Sequence, residues 1–165
     1  MTLPTHIVSS IAVLKYIDHI APEILNNKIN LYAYIFFAIG SIFPDLIEII
    51  CSRFSFKRFF KIHRTYLHWW VLYITFFIIH LLFYYNNWFN YNNIHIPKSN
   101  IYLCSAVFLI LLGSFLHLFE DYFSLTGIPY LRPKGQKMKK TLYSTGSIKE
   151  AIIFAFFLIV FLIGI

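Results

Sequence analysis

The sequence predicts an all-α protein, an integral membrane helical bundle with four or five membrane-embedded helices. Three observations lead there. Hydrophobic residues make up 59% of the chain and charged residues only 13%. The apolar residues fall in long blocks, as membrane spans require. The ionisable residues inside those blocks gather toward one end of the predicted bundle. With 165 residues the chain suits one domain, 1–165.

The first segment, Ile7 to Ile20, is interrupted by Lys15, Asp18 and His19. It reads as a short span or as a helix lying in the interface. It is not expected to be a cleaved signal peptide, because its start lacks basic charge and it ends in Pro22 and Glu23. Three full blocks follow: Leu31 to Ile50, Tyr66 to Tyr85, and Ile101 to Glu120. Each reaches the roughly 20 residues that a spanning helix needs. The last block, Ala151 to Ile165, is shorter and gains length if it starts at Ile148. Cys51 and Cys104 fall at opposite faces of this layout, too far apart for a disulfide, and are expected to be free buried thiols.

Charge orients the bundle. The loop Cys51–Thr65 holds Arg53, Lys57, Arg58, Lys61 and Arg64. The loop Tyr122–Ser147, on the same side, holds Arg132, Lys134, Lys137, Lys139 and Lys140. The opposite loop, Asn86–Asn100, has only Lys98. Ten basic residues against one make the first side cytoplasmic. The formal net charge of +7 thus reflects topology and anionic headgroups, not nucleic acid. Phe54, Phe56, Phe59 and Phe60 interleave the first basic run, a mixture suited to a membrane surface.

Ionisable residues at membrane depth are costly, so they are functional candidates. Asp45 and Glu48 lie at the cytoplasmic end of their block, and His63 and His68 flank the entry to the next. His117, Glu120 and Asp121 end the following block, and Glu150 opens the last. If the first segment spans, His6 joins them. His117 and Asp121 stand at i and i+4, on one helix face, and suit one metal. His63 and His68 both turn inward only if their helix starts near Tyr66. Pro44 deprives the Gly40 carbonyl of its helical donor, and the expected kink aims Asp45 at the bundle axis. Gly40-Ser41 and Gly113-Ser114 let two backbones approach closely. His19, His80 and His95 lie away from this end, and His80 is expected to bond a neighbouring helix. Trp69, Trp70, Tyr84, Tyr85 and Trp88 read as interface anchors. The chain has no P-loop, dinucleotide glycine motif, nucleophile elbow or CxxC pair.

The ordered set Thr5-His6, Gly40-Ser41 with Pro44-Asp45, His63-Arg64 with His68, and His117-xxx-Asp121 with Ser124, Gly127, Pro129 and Pro133 resembles a known pattern. It is that of the bacterial LexA-binding, inner-membrane-associated metal-dependent hydrolases. Gly146-Ser147 and Glu150 continue it, so the resemblance runs from Thr5 to Glu150. The sequence departs from the pattern at Ile47, where a second aspartate is usual and Glu48 stands next along. It departs also at Leu67 and Ser124, both usually threonine. The order of ligand types is similar, more distantly, to the zinc-dependent phospholipases C, which hydrolyse phosphodiesters with a zinc cluster.

The resemblance implies a membrane-bound metal-dependent hydrolase acting on a phosphoester or lipid headgroup at the cytoplasmic face of the bacterial inner membrane. His6, Asp45, His63, His68, His117, Asp121 and Glu150 would be metal ligands. Asp45, with Glu48 beside it, would be catalytic. The mixed ligand set suits zinc, or manganese or iron, and its size suits two or more ions. The expected partners are the lipid membrane and a lipid or phosphoester substrate. The alternative is a non-catalytic adaptor that binds a cytoplasmic regulatory protein through its basic loops. A metal transporter fits less well, because its ligands would lie near the midplane.

Overall fold

The computed structural model describes residues 1–20, 31–91 and 98–163, the side chains of 84–91 and 98–104 excepted. Six helices occur in the described residues: α1 (Leu3–Ile20), α2 (Leu31–Cys51), α3 (Phe56–Ile62), α4 (Trp70–Tyr91), α5 (Lys98–Tyr122) and α6 (Ile148–Ile163). Between α5 and α6 lie two paired two-residue strands, β1 (Ile128–Pro129) and β2 (Lys137–Met138), with Ile128 opposite Met138. The all-α expectation needs this small correction. Gly127, Pro129, Pro133 and Gly135 break helix there, and Gly127 takes φ +63° against the Met138 carbonyl, where a Cβ would not fit.

Burial is inverted relative to a water-soluble domain. Among the described residues sixteen polar or charged ones are buried against ten hydrophobic ones, while large apolar side chains stand outside. On α2 the exposed Leu31, Ile35, Ile39, Leu46 and Ile50 form a stripe at helical spacing, and Ile148, Ile152, Phe156, Ile159 and Ile163 do the same on α6. Among the described residues two helical stretches, Leu31–Cys51 and Ser105–Tyr122, are long and apolar enough to cross a membrane. Four or five such helices were expected. In α4 the part described with its side chains, Trp70–Phe83, is apolar, α6 has 16 residues, and Thr5, His6, Ser9, Ser10 and Lys15 break the apolar face of α1.

α2 and α5 are the antiparallel centre of the bundle. A Cβ on Gly40 would lie 2.3 Å from the Ile110 carbonyl oxygen, and one on Gly113 would lie 2.2 Å from that of Phe37. Only glycine permits this approach. α2 stays helical through Pro44. The orphaned Gly40 carbonyl accepts a hydrogen bond from Ser114 Oγ at 3.0 Å, so a donor on α5 replaces the one that proline removes.

α1 packs between α2 and α6 and runs parallel to α6. Thr2 N–H donates to Glu150 at one end, and Lys15 Nζ donates to the Phe161 carbonyl at the other. A small apolar core of Tyr73, Leu111, Leu118 and Ile128 joins α4, α5 and β1. Cys51 is a free thiol but exposed, not buried as expected. The side chain of Cys104 and all of His95 lie outside what is described. The side chains of Tyr84, Tyr85 and Trp88 do so too.

Candidate metal centre

One end of the bundle collects the N-terminus of α1, the C-termini of α2 and α5, and the segment 63–69 ahead of α4. Five of the chain's seven acidic residues are buried there: Asp45, Glu48, Glu120, Asp121 and Glu150. His6, His68 and His117 are wholly buried beside them. The buried cations are Arg64, whose Nη2 reaches Asp121 Oδ1 at 2.8 Å, and the amino group of Met1, which reaches the same oxygen at 2.6 Å.

The three buried histidines share one arrangement. His6 Nδ1 meets Glu120 Oε2 at 2.5 Å, His68 Nδ1 meets Glu48 Oε1 at 3.1 Å, and His117 Nδ1 donates to the Ser41 carbonyl at 2.6 Å. In each ring the outer nitrogen is held, which turns Nε2 inward. His68 Nε2 and His117 Nε2 lie 3.0 Å apart. His68 Nε2 is 3.3 Å from Asp45 Oδ1 and 3.4 Å from Asp121 Oδ2. His117 Nε2 is 3.8 Å and 3.7 Å from the same two oxygens. His6 Nε2 is 3.8 Å from Asp121 Oδ1, and its ring stacks on that of His117.

Three buried atoms at this convergence have no hydrogen-bond partner: His6 Nε2, Asp45 Oδ1 and Asp121 Oδ2. All three are of the kinds that bind metals. Two sets of side chains bring one such atom each within 4.8 Å of one another. They are Asp45, Glu48, His63 and His68, and His6, His117 and Asp121.

His63 stands at the rim, its side chain 24% exposed, with Nδ1 2.8 Å from Glu48 Oε2. His63 and His68 both face inward, although the helix starts at Trp70 and not near Tyr66. Arg64 makes this possible by taking φ +56°, left-handed for a residue with a side chain. The turn is pinned by Arg64 N–H on Glu48 Oε2 and by Arg64 Nη1 on Ser124 Oγ, at 3.2 and 2.5 Å. His68 lies outside the helices. Burial disfavours its charged ring, but Asp121, Asp45 and Glu48 outweigh this and raise its pKa to about 10.

Of the seven expected ligands, six fall in the two sets and Glu150 does not. Glu150 instead accepts hydrogen bonds from the N–H groups of Thr2 and Gly146 and from the Thr5 hydroxyl. Its carboxylate ties α1 to the start of α6. Glu48 stands inside the site where Ile47 fails to supply a carboxylate. Its oxygens are already engaged by His63, His68 and Arg64, which is the geometry of an orienting group. Two residues went unassigned from sequence. Glu120 was placed at this end, yet its pairing with His6 depends on which helix covers that face. Arg64 reads as one more basic loop residue unless its turn is known. His80 meets Phe108 ring to ring at 6.0 Å, far from the site.

The model of the YdjM inner membrane protein family matches residues 1–165, the whole chain. No curated protein and no solved structure matches.

Proposed function

The chain belongs to the YdjM inner membrane protein family, and we propose that it works there as a metal-dependent hydrolase of phosphoesters carried on lipid headgroups. The observation that carries this reading is the common posture of His6, His68 and His117. Each has Nδ1 anchored, and each Nε2 faces Asp45 or Asp121. Buried polar atoms without partners are rare and need a reason. A divalent cation supplies it. Charge supports the same reading, because five buried carboxyl groups outnumber three buried cations, Arg64, the Met1 amino group and the protonated His68.

Zinc suits the mixed imidazole and carboxylate set, with manganese or iron as alternatives. Two or more ions suit the two sets. His6, His117 and Asp121 would hold one ion, and His68, His63 and Asp45 another. Such ions supply an activated water and stabilise charge developing on a phosphoryl oxygen. Asp45 Oδ1 lies within 3.8 Å of the side-chain nitrogens of His63, His68 and His117. It would therefore be the residue shared by the two sets, either as a ligand or as the base that accepts a proton from water. Glu48 and Glu120 hold their histidines, and Arg64 holds Asp121.

In this reading four or five helices are embedded, α4 and α6 included, and the site lies at the cytoplasmic headgroup level of the bacterial membrane. The basic bias of the loops around the site is the support. The test is metal analysis of detergent-purified protein, followed by a panel of chromogenic phosphoesters and labelled phospholipids. Stoichiometric zinc, manganese or iron with turnover that Asp45→Asn abolishes supports the proposal. Metal-free protein that hydrolyses nothing overturns it. The adaptor reading then takes over, since it needs the basic loops and not the ligands.

A further inference from the structure

α3 and the turn before it carry the most exposed aromatic surface at the site end of the bundle. Phe54 is 78% exposed, Phe56 80% and Phe60 73%. α3 buries none of its seven residues. Arg53, Lys57, Arg58 and Lys61 surround these rings, all exposed, and no acidic residue occurs from Cys51 to Thr65. Phe56 and Phe60 are four apart, on one helix face, and Lys57 and Lys61 repeat that spacing on the adjacent face. Rings on one face with cations beside them are what an interfacial helix presents to a bilayer.

Two further features set the position of this element. Arg53 and Phe54 take φ values of 53° and 57° in succession, both left-handed. Non-glycine residues hold such conformations only where the surroundings enforce them. The turn follows directly on Leu46 and Ile50, the last exposed apolar residues of α2, so the apolar surface continues from the spanning helix onto Phe54. At its other end α3 is joined to the site. The Phe59 ring stacks on His63 at 4.6 Å and 26°.

We infer that α3, with Arg53 and Phe54, is a docking element for anionic phospholipid. Phe54, Phe56 and Phe60 enter the acyl boundary while Arg53, Lys57, Arg58 and Lys61 hold headgroup phosphates. A soluble acidic protein would satisfy the four cations and leave the rings without the apolar phase that continues from α2. The docked headgroup lies next to His63, the partly exposed histidine at the rim of the site. That last step rests on the hydrolase reading, whereas the docking itself does not.

The experiment uses the full chain in nanodiscs of phosphatidylglycerol or phosphatidylcholine. A nitroxide is attached through Phe56→Cys or Phe60→Cys, with Cys51 and Cys104 replaced by serine. Both labelled positions are exposed, so folding does not depend on them. The label should collide with oxygen rather than with a water-soluble nickel chelate in phosphatidylglycerol. That preference should shift toward the chelate in phosphatidylcholine. Lys57→Gln, Arg58→Gln and Lys61→Gln together should erase the difference between the lipids. A label open to the chelate in both lipids overturns the inference, as does immersion that ignores lipid charge. Metal content is measured on the same samples. Protein that docks without metal leaves this inference standing and removes the hydrolase reading; metal-loaded protein that does not dock does the reverse.

Discussion

Ser114 Oγ sits 3.0 Å from the Gly40 carbonyl oxygen, across the contact between α2 and α5. That carbonyl is the one Pro44 leaves without a helical donor. The same hydroxyl lies 2.9 Å from the Ile110 carbonyl on its own helix. One serine thus lets a proline stand one residue before Asp45 without breaking the helix.

The glycines at this contact should be far less replaceable than the serine. Gly40→Ala forces a methyl group against the Ile110 backbone, and overpacking of that kind typically costs about 1–3 kcal/mol or more. Ser114→Ala removes one hydrogen bond and should cost about 1 kcal/mol. Thermal unfolding in detergent checks the order. A Gly40→Ala variant as stable as wild type would refute the close packing.

The ligand assignment separates residues that look alike in sequence. His117→Ala should lose bound metal. Glu120→Ala frees His6 to rotate and should weaken metal affinity about 10- to 100-fold, the usual effect of losing an orienting carboxylate. Glu150→Gln should leave metal content unchanged, because its oxygens serve Thr2, Thr5 and Gly146. Metal analysis after dialysis against graded chelator ranks the three. Loss of metal in Glu150→Gln would return that residue to the ligand set.

Metal binding should release protons. With a pKa of about 10, His68 carries its proton at neutral pH, and a ligand must be deprotonated. Apparent affinity should therefore rise as pH rises toward that value. The sign follows from the raised pKa, since below it the proton competes with the metal. Calorimetric titration with zinc at pH 7.5 in two buffers of different ionisation enthalpy reads the proton count. A heat that does not depend on the buffer contradicts the expectation.

Asp45→Asn should abolish hydrolysis while the protein still inserts. The change keeps the shape of the side chain and removes a charge from the membrane end of α2. His80→Ala should leave turnover near wild type, because His80 packs on Phe108 and not on the cluster. Turnover measured on metal-loaded protein decides between them. Wild-type rates in Asp45→Asn would dismiss Asp45 as the bridging or basic group.

Labelling fixes the side of the membrane. Ser55→Cys, in otherwise cysteine-free protein, should resist an impermeant thiol reagent added to intact cells, and Asn92→Cys should react. The reverse pattern would place the site on the outer face.

The blocks of apolar residues were enough to reveal α2, α4, α5 and α6, because long uncharged runs leave few alternatives. The ends were harder. Tyr66, Leu67 and Trp69 let residues 66–69 join the block that follows, yet they lie outside the helix, after the left-handed turn at Arg64. The gathering of His6, Asp45, His63, His68, His117 and Asp121 at one end follows from alternating helix directions and was legible. The role of Glu150 was not. It is a carboxylate at the same end as the proposed ligands, and its engagement by Thr2, Thr5 and Gly146 follows only from the position of α1 and the turn before α6. Glu48 illustrates the same limit, since a carboxylate that orients and one that ligates have one letter between them.

The contact of Gly40 with Ile110 and of Gly113 with Phe37 has a consequence for ion choice. With backbone against backbone, α2 and α5 meet at their closest where Gly40 and Gly113 leave no room for a Cβ. Asp45 therefore stands at a set span from His117 and Asp121, like two jaws of a fixed gauge. His6 and His68 come from outside that pair, on α1 and on the turn before α4, each ring held through Nδ1 by a carboxylate. The rigid jaws would reject a cation that needs long, numerous oxygen contacts. The inward Nε2 atoms of His6, His68 and His117 would favour one that takes short bonds to nitrogen.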